Sequence, residues 1–365
     1  MAGIYLHVPF CHSKCAYCDF YSVARPDKAG AFVLAAEHEY ASRVSELAGE
    51  PVRTLYFGGG TPSVLPPEIF SRLARMLMTS DTEEFTIEVN PEDVDAQRIE
   101  AWKSAGVNRV SIGVQSLHDG ELRLVNRRHD AAGALAAIAA LRSAGIENIS
   151  ADLIYGLPGQ TDESWRDSVR RLTDAGVMHL SAYCLSFEEG TLLTRKLRQG
   201  IVREASEEEI ETRYGILCRQ MADAGFEHYE ISNFARPGFR SRHNSSYWCG
   251  VPYLGLGPGA HSLTATGSRR FNPPDLRRYV AAEGHITEND TETASDRLND
   301  LIMIRLRTSE GLEKGAVPSG RLAEIMQAAK PWLSSGHLAD SGTHLFIPER
   351  SWLLADAVIR DLFVD

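Results

Sequence analysis

The chain has 365 residues, a hydrophobic fraction of 43% and a formal net charge of -11, and this length allows one large domain and a smaller one. The negative charge argues against nonspecific nucleic-acid binding, because such binding depends on clustered Lys and Arg. No apolar run is long enough to span a bilayer, and no signal peptide is predicted. Unpaired cysteines without an export signal indicate a reducing compartment. The sequence therefore predicts a cytoplasmic protein that is not integral to a membrane, while peripheral membrane contact stays open.

Three cysteines stand close together near the amino terminus, at Cys11, Cys15 and Cys18. Their C-x3-C-x2-C spacing places three thiolates in one short loop, where they can converge on a single metal centre. Thiolates are the ligands that select zinc or iron–sulfur clusters. A [4Fe-4S] cube that is held by three cysteines keeps one iron open to bind another molecule.

Two other interpretations of this loop stay open. A structural zinc site needs four ligands, and the fourth would have to be His7 or His12. Zinc loops usually bring a second cysteine pair, whereas the other cysteines, Cys184, Cys218 and Cys249, are scattered. A disulfide framework is not expected with so few cysteines in a chain of this length. The spacing favours an open-site cluster over zinc.

A pattern of helix, glycine and short apolar strand recurs through the first part of the chain. Four helix patterns end at a glycine, where a left-handed residue costs least: Gly106, Gly145, Gly176 and Gly225. Strands are predicted after these glycines and earlier in the chain, at 4–8, 53–57, from 85, and at 109–114, 148–154, 178–185 and 227–231. Units of this kind build a parallel sheet with helices outside. With about six to seven units instead of the eight of a closed barrel, the sequence predicts an open, partial α/β barrel.

Polar side chains collect where the predicted strands end. Glu88 lies in the third strand, Gln115 ends the fourth, and Asp152 lies in the fifth. Functional residues of parallel sheets lie at the carboxyl ends of the strands, and a carboxylate in an apolar strand is costly unless it has a partner. Together these side chains suggest a polar ligand rich in hydroxyls and amines. The glycine turn 58–60 would let the backbone approach such a ligand closely, although turns of this kind are common.

The cysteine loop and its flanks resemble a known family. C-x3-C-x2-C is similar to the signature of the radical S-adenosylmethionine (SAM) enzymes. The longer string Y-x-H-x-P-F-C-x3-C-x-Y-C-D-F at 5–20 resembles the oxygen-independent coproporphyrinogen III oxidase group and, within it, the HemW-type heme chaperones. The resemblance implies a [4Fe-4S] cluster on Cys11, Cys15 and Cys18, with SAM on the open iron through its amino and carboxylate groups. It also implies a partial (β/α)6-type barrel.

The same resemblance assigns roles to individual positions. It implies that nine residues flank the cluster or contact SAM: Tyr5, Tyr17, Gly59, Gly60, Thr61, Glu88, Gln115, Arg127 and Asp152. The glycines and Thr61 match the motif that holds the methionine amino group, and Asp152 suits the ribose hydroxyls. The string D-L-I-Y-G-L-P-G-Q-T at 152–161 is a further long and specific match. No catalytic residue is assigned.

One position departs from the pattern of the oxidases. They carry a further cysteine two residues after the third, and here that position is Phe20. The departure favours the heme-chaperone branch, whose members would carry heme to an acceptor protein, for instance a membrane respiratory component. The alternative is a radical enzyme that oxidatively decarboxylates coproporphyrinogen III to protoporphyrinogen IX. The sequence leaves open whether the chain is an enzyme.

A second motif, H-N-x-x-Y-W, lies at 243–248. It resembles the heme-associated motif of the same chaperones, which implies that His243, Tyr247 and Trp248 contact heme. An imidazole can ligate heme iron, and aromatic rings can face the macrocycle. Without the resemblance, the residues favour a structural histidine.

The sequence predicts three regions. Residues 1–235 form the partial barrel, residues 236–271 a Gly/Pro-rich connecting loop, and residues 272–365 a smaller, mostly helical C-terminal domain. The last region resembles the small domain of the oxidase and chaperone group, and no catalytic motif is recognised in it.

Overall fold

The computed structural model describes residues 1–24 and 28–365. Within them, six strands alternate with helices in the first half of the chain: β1 Ala2–Val8, β2 Val52–Gly59, β3 Glu84–Val89, β4 Arg109–Gln115, β5 Asn148–Tyr155 and β6 His179–Cys184. They lie side by side in chain order, and every neighbouring pair is parallel. This order is that of consecutive β/α units, and it confirms the predicted α/β fold with a partial parallel barrel.

Helices connect these strands on the outside of the sheet: α1 Ala29–Arg43, α2 Pro67–Leu77, α3 Ala96–Ser104, α4 Asp119–Leu124, α5 Ala131–Ser143, α6 Asp162–Asp174, α7 Leu192–Arg198 and α8 Glu207–Asp223. The side chains of Asp95, Asp130 and Ser206 cap α3, α5 and α8 by accepting a backbone N–H. The glycines predicted to end four helices all have positive φ. The 3-10 helix Val44–Leu47 follows α1 directly.

The main hydrophobic core lies between the sheet and these helices. Phe57, Phe70 and Phe85 are almost fully buried there, and the rings of Phe57 and Phe85 meet edge to face with centroids 5.0 Å apart. Each such side chain contributes about 1.5–3 kcal/mol by burial. The barrel interior, in contrast, is lined by polar side chains, and the functional residues lie there.

One edge of the sheet differs from the prediction. The segment 227–231 is a strand, β7 Glu227–Glu230, but its neighbour is β8 Asn233–Ala235 and not β6. Only two residues join β7 to β8, so the two strands must pair antiparallel as a hairpin. As a result β8 takes the place beside β6, also antiparallel.

Residues 236–271 do not form the predicted connecting loop. They contain helix α9 Arg242–Trp248 and three strands, β9 Tyr253–Leu256, β10 His261–Leu263 and β11 Arg269–Phe271. β9 pairs in parallel with β1, and β10, β11 and then β12 Glu288–Asn289 extend the sheet antiparallel. The glycines stand between the strands, for example Gly257 and Gly259 with φ +92° and +87°. Because these strands have only three or four residues, they carry too little periodicity to be recognised in the sequence.

The last region is mostly helical, as predicted: α10 Leu276–Ala281, α11 Ala294–Leu306, α12 Ser319–Ser335 and α13 Ala355–Asp361. It also holds a small antiparallel sheet of β13 Leu312–Glu313, β14 Ala339–Asp340 and β15 His344–Phe346. The region joins the barrel next to β7, where the N–H of Ile231 donates to the carbonyl of Arg307 at 3.0 Å. Across the described residues, no helix combines the length and apolar composition that a membrane span requires.

Candidate cluster and cofactor site

The cysteine loop leaves the carboxyl end of β1 and covers the mouth of the barrel. Val23 ties the start of the loop to its end, because its N–H donates to Pro9 at 2.7 Å and its carbonyl accepts from Cys11 at 3.1 Å. Further along, Ala16 donates to Val125 at 2.9 Å and accepts from Leu193 at 2.8 Å. The loop is therefore held from three sides, and its three cysteines are free and half-buried.

Beneath the loop lies a cavity of about 470 Å³, a volume typical of small-molecule and cofactor sites. Its wall combines the cysteine loop with the carboxyl ends of the parallel strands. Of the residues predicted for the cluster and SAM, the structure brings these together on the cavity wall: Cys11, Cys15, Cys18, Tyr17, Gly59, Gly60, Thr61, Glu88, Gln115, Arg127 and Asp152. A larger depression of about 890 Å³ lies outside the barrel along α4 and α6, and the described residues that line it include no cysteine.

The glycine turn after β2 presses backbone against the cysteine loop. A Cβ atom at Gly60 would stand 2.7 Å from the carbonyl oxygen of Phe10 and 2.8 Å from that of Val8, so a side chain does not fit. Gly59 has a φ of +102°, which favours glycine. Thr61 follows, and its Oγ1 lies 3.3 Å from the Cys11 sulfur. The glycine turn thus fixes the position of the cysteine loop above the strand ends. The backbone of the turn itself faces the cavity.

Arg127 connects the cysteine loop to the barrel. Its Nη1 lies 3.4 Å from the Cys15 sulfur, and its Nη2 donates to Asn90 Oδ1 at 2.7 Å and to the Gly113 carbonyl at 2.5 Å. Burial alone would lower the pKa of Arg127, but Tyr17 and Cys15 raise it above its usual value. The Nε atom is buried and has no hydrogen-bond partner among the described residues. One donor of a permanent cation is therefore left for a ligand.

Two half-buried carboxyl groups, Glu88 and Asp152, face the cavity. Glu88 accepts from the Tyr56 hydroxyl at 2.9 Å and from the Gly59 N–H at 3.1 Å, and the Ser111 hydroxyl donates to Asp152 at 3.2 Å. Burial raises the pKa of Glu88 to about 7 and that of Asp152 to about 6. Carboxylates that are destabilised by burial gain most from an added cation or hydrogen-bond donor. An amine and ribose hydroxyls would supply both.

Gln115 reaches the cavity through an irregular backbone. The register of β4 with β5 shifts between Gly113 and Gln115, and Gln115 has a φ of +67°. Positive φ in a residue other than glycine is uncommon and costs free energy. Ser22 and Ser111 also line the cavity, and sequence reasoning missed both, because a serine in a strand or loop carries no signal by itself.

Tyr5 is not among the residues that line the cavity, and the role that the family resemblance implies for it stays a prediction. Its ring lies inside the barrel, with its centroid 5.9 Å from that of Tyr56 and 6.4 Å from that of His243. The reason is its position in β1, three residues before the strand ends at Val8. At about 3.3 Å per residue, its side chain lies a layer below the cysteine loop.

The histidines that could complete a zinc site have other partners. His7 Nε2 lies 2.9 Å from the carbonyl oxygen of Tyr21, and its ring packs under the glycine turn. His12 Nε2 lies 3.2 Å from an oxygen of Asp93. Neither contact involves a cysteine, so this arrangement favours the open-site cluster over a closed zinc site.

The H-N-x-x-Y-W motif lies at the opposite end of the barrel. It forms α9, whose start is held under β3 because the N–H of His243 donates to Glu84 at 2.9 Å. The His243 ring bonds through Nδ1 to Thr54 at 2.8 Å and through Nε2 to the Tyr247 hydroxyl at 2.7 Å. It also stacks on Tyr56, with centroids 5.0 Å apart. The side chain is fully buried, and burial lowers the pKa of His243 to about 3.

These contacts are those of a structural histidine. Contact of His243 with heme stays a prediction, and ligation of heme iron would require one of these contacts to break, because both ring nitrogens are already bonded. Tyr247 uses its hydroxyl on the same histidine, and Trp248 is half-buried. His243, Tyr247 and Trp248 lie together on α9, at the opposite end of the barrel from the cysteines.

Comparison with known proteins identifies the class of protein to which the chain belongs. The profile of the radical SAM superfamily matches residues 5–172, which include the cysteine loop and the glycine turn. The structure of coproporphyrinogen III oxidase (HemN) from Escherichia coli, a radical SAM enzyme, superposes with a TM-score of 0.84 at 23% identity, over 100% of this chain and 90% of that chain. The fold and the cysteine loop are therefore those of a radical SAM protein. Membership of this superfamily implies a [4Fe-4S] cluster and SAM.

Comparison with curated relatives identifies the family within this superfamily. The heme chaperone HemW of Mycobacterium tuberculosis strain H37Rv is 35% identical, over 99% of this chain and 94% of that protein. HemW of Bacillus subtilis is 33% identical, over 86% and 85%. Radical S-adenosyl methionine domain-containing protein 1, mitochondrial, of the mouse is 35% identical, over 85% and 74%. The chain belongs to the HemW family of heme chaperones.

Proposed function

We propose that the chain is a heme chaperone that holds a [4Fe-4S] cluster and SAM at the barrel mouth and carries heme to an acceptor protein. The observation that carries the cofactor part is the loop of Cys11, Cys15 and Cys18 above a cavity that is lined by two half-buried carboxyl groups whose pKa values burial raises. Family membership supports the heme part. Transfer would take place in the cytoplasm, where the loop cysteines stay reduced, and a membrane respiratory component is a candidate acceptor.

The described residues suit these cofactors. The backbone of the glycine turn and Thr61 would hold the methionine amino group, Asp152 would accept from the ribose hydroxyls, and Arg127 would donate from its free Nε. Glu88 and Gln115 lie on the same wall. When bound, the cluster supplies single electrons and an open iron for SAM.

Metal analysis tests the cluster. Protein reconstituted anaerobically with iron and sulfide is expected to hold one [4Fe-4S] per chain. Replacement of Cys11, Cys15 and Cys18 by Ala should abolish it, whereas Cys184→Ala, at a cysteine on the same cavity wall, should leave iron and sulfide unchanged. A full cluster in the triple variant would refute the assignment.

Hemin titration tests heme binding. The Soret absorbance of the reconstituted protein should saturate near one heme per chain, and the absence of specific uptake would refute the chaperone proposal. His243 can ligate heme only if α9 first leaves the barrel floor, since Thr54 and Tyr247 occupy its ring. We therefore expect His243→Ala to lower Tm and to retain heme uptake. Loss of uptake in His243→Ala with full uptake in Thr54→Val would instead assign a ligand role to the imidazole.

The second candidate function is oxidative decarboxylation of coproporphyrinogen III. The cavity below the cysteine loop supports it, because its wall carries the residues that we propose to hold SAM. Phe20 argues against the decarboxylase function, because the side chain at the position of the extra oxidase cysteine is apolar and 66% exposed. Anaerobic assay of the reduced, SAM-loaded protein for protoporphyrinogen IX decides between the two functions, and we expect no product.

A further inference from the structure

A second group of metal-binding side chains lies away from the cavity, where the barrel meets the C-terminal region. Cys218 on α8, His228 on β7 and Glu349 in the 3-10 helix Glu349–Leu354 each offer one donor atom, and these atoms lie within 4.8 Å of one another. We propose that they form a binding site for one divalent transition metal ion of the zinc class.

Packing holds His228 in place for such a role. Its ring stacks on Phe234 with centroids 3.8 Å apart and meets the Trp352 ring edge-on at 4.1 Å. The side chain is only 6% exposed, and its Nδ1 lies 2.7 Å from a Glu349 oxygen. A ring that is fixed in this way has little orientational freedom left to lose when it binds a metal.

Tyr214 gives an independent indication of a ligand at the same place. Its side chain is 7% exposed, and its buried hydroxyl makes no well-aligned hydrogen bond among the described residues. The hydroxyl lies beside the Cys218 thiol and within the electrostatic reach of Glu349. The Cys218 thiol is only a weak hydrogen-bond partner for this hydroxyl. A metal-bound water at this position would satisfy it.

The donor set fits zinc. Sulfur, imidazole nitrogen and carboxylate oxygen are the three ligand types that zinc takes in proteins, and sites with three protein ligands keep a fourth position for water. Binding would replace the S–H bond of Cys218 by an S–metal bond and release the proton to solvent. The Glu349 side chain is 55% exposed, so an ion can enter from that side.

The site would fasten the C-terminal region to the barrel. Cys218 and His228 belong to the last barrel units, whereas Glu349 lies more than a hundred residues further along. Without a metal, the same contact is a hydrogen bond between His228 and Glu349. A bound metal would involve Cys218 as a ligand, whereas the direct contact involves His228 and Glu349 alone.

Zinc analysis of the full chain tests the proposal. Cluster-loaded protein is equilibrated with zinc chloride and then dialysed against metal-free buffer. We expect one zinc per chain, and zinc K-edge absorption, which the iron does not disturb, should show one sulfur at about 2.3 Å and lighter ligands at about 2.0–2.2 Å. Cys218→Ser should remove the sulfur contribution and weaken zinc binding by about tenfold or more.

Two variants serve as controls. Cys249→Ser replaces an exposed cysteine outside the group and should retain zinc with unchanged sulfur scattering. Glu349→Gln changes a mostly exposed side chain, so it should weaken zinc binding while Tm without zinc stays near that of the parent. Failure of the parent to retain zinc, or sulfur scattering that persists in Cys218→Ser, would overturn the proposal.

Discussion

Among single residues, Arg127 and Glu88 are the two charged or titratable side chains on which the proposed binding of SAM most depends. Arg127 is a buried cation with contacts to the cysteine loop, to β3's end and to β4. Glu88 is a half-buried carboxyl group that lines the same cavity. Both side chains are costly to bury, and a zwitterionic cofactor would offset part of the cost for each.

Replacement of Arg127 by Lys should weaken SAM binding about tenfold or more. Lysine keeps the charge but lacks the fork that reaches Asn90, Gly113 and Cys15 together, and a hydrogen bond to a charged group contributes about 1.5–3 kcal/mol. Equilibrium dialysis of SAM against the cluster-loaded protein measures the change. Arg128→Lys, at the exposed neighbouring position, should bind SAM as the parent does; equal affinities in all three proteins would contradict the assignment of Arg127.

Glu88 should make the stability of the cofactor-free protein depend on pH. Burial raises its pKa from 4.5 to about 7, so the folded state binds the proton more tightly than the unfolded state. Its contribution is present below pH 4.5 and is lost as pH rises towards 7. The loss amounts to about 3 kcal/mol, at about 1.4 kcal/mol per pH unit.

Urea unfolding between pH 5 and pH 8 measures this effect. The parent should lose more stability over that range than Glu88→Gln, whose amide does not titrate. Glu100→Gln, at an exposed position of α3, should follow the parent. Parallel stability curves for the parent and Glu88→Gln would show that Glu88 does not ionise in this range.

At the scale of elements, the glycine turn after β2 determines where the cysteine loop stands. Gly60 donates to the Val8 carbonyl at 2.9 Å, and a Cβ atom there would collide with the backbone of Val8 and Phe10. The backbone of Val8 and Phe10 cannot move aside as a flexible side chain can, so the cysteine loop would have to shift. Such a shift would move the cysteines relative to the strand ends that carry the SAM residues.

Gly60→Ala should therefore destabilise the protein by about 1–3 kcal/mol and reduce iron incorporation. Thermal unfolding and iron analysis after reconstitution measure the two effects. Gly30→Ala is the matched control, because a Cβ at this α1 position meets nothing within 4 Å and alanine favours a helix. The explanation fails if Gly60→Ala unfolds and loads iron as the control does.

At the scale of the whole molecule, the barrel sheet extends beyond the region that the sequence assigns to it. β9 covers the free edge of β1, and β10 to β12 continue the sheet. We propose that the barrel unit runs to about residue 290, and that an end at residue 235 would leave β1 as an unprotected edge strand. Exposed edges of this kind pair with other chains and aggregate.

Truncation tests this boundary. A chain that ends at residue 235 should be mostly insoluble, whereas a chain that ends at residue 291 keeps β9 to β12 and should stay soluble and take up iron on reconstitution. The soluble fraction after expression and the iron content per chain are the measurements. Comparable solubility of the two truncated chains would refute the extended boundary.

Residues at one end of the barrel could be placed from the sequence, and residues at the other end could not. Glu88, Gln115 and Asp152 could be placed on one cavity because residues at the carboxyl ends of parallel strands meet wherever the strands pair in order. Tyr5 and His243 could not be placed, since motif membership does not say at which depth of a barrel a side chain lies. The strands in 253–271 were hidden by their shortness and by the glycines between them.

The cysteine loop, the run of β/α units and the carboxyl groups at the strand ends could be recognised in the sequence, because local spacing and periodicity encode them. Only the tertiary structure decided that β9 closes the sheet beside β1, that His243 is a fully bonded residue of the barrel floor, and that Cys218, His228 and Glu349 converge. Each of these depends on contacts between segments that are far apart in the chain, and no local pattern records which distant partner a buried group finds.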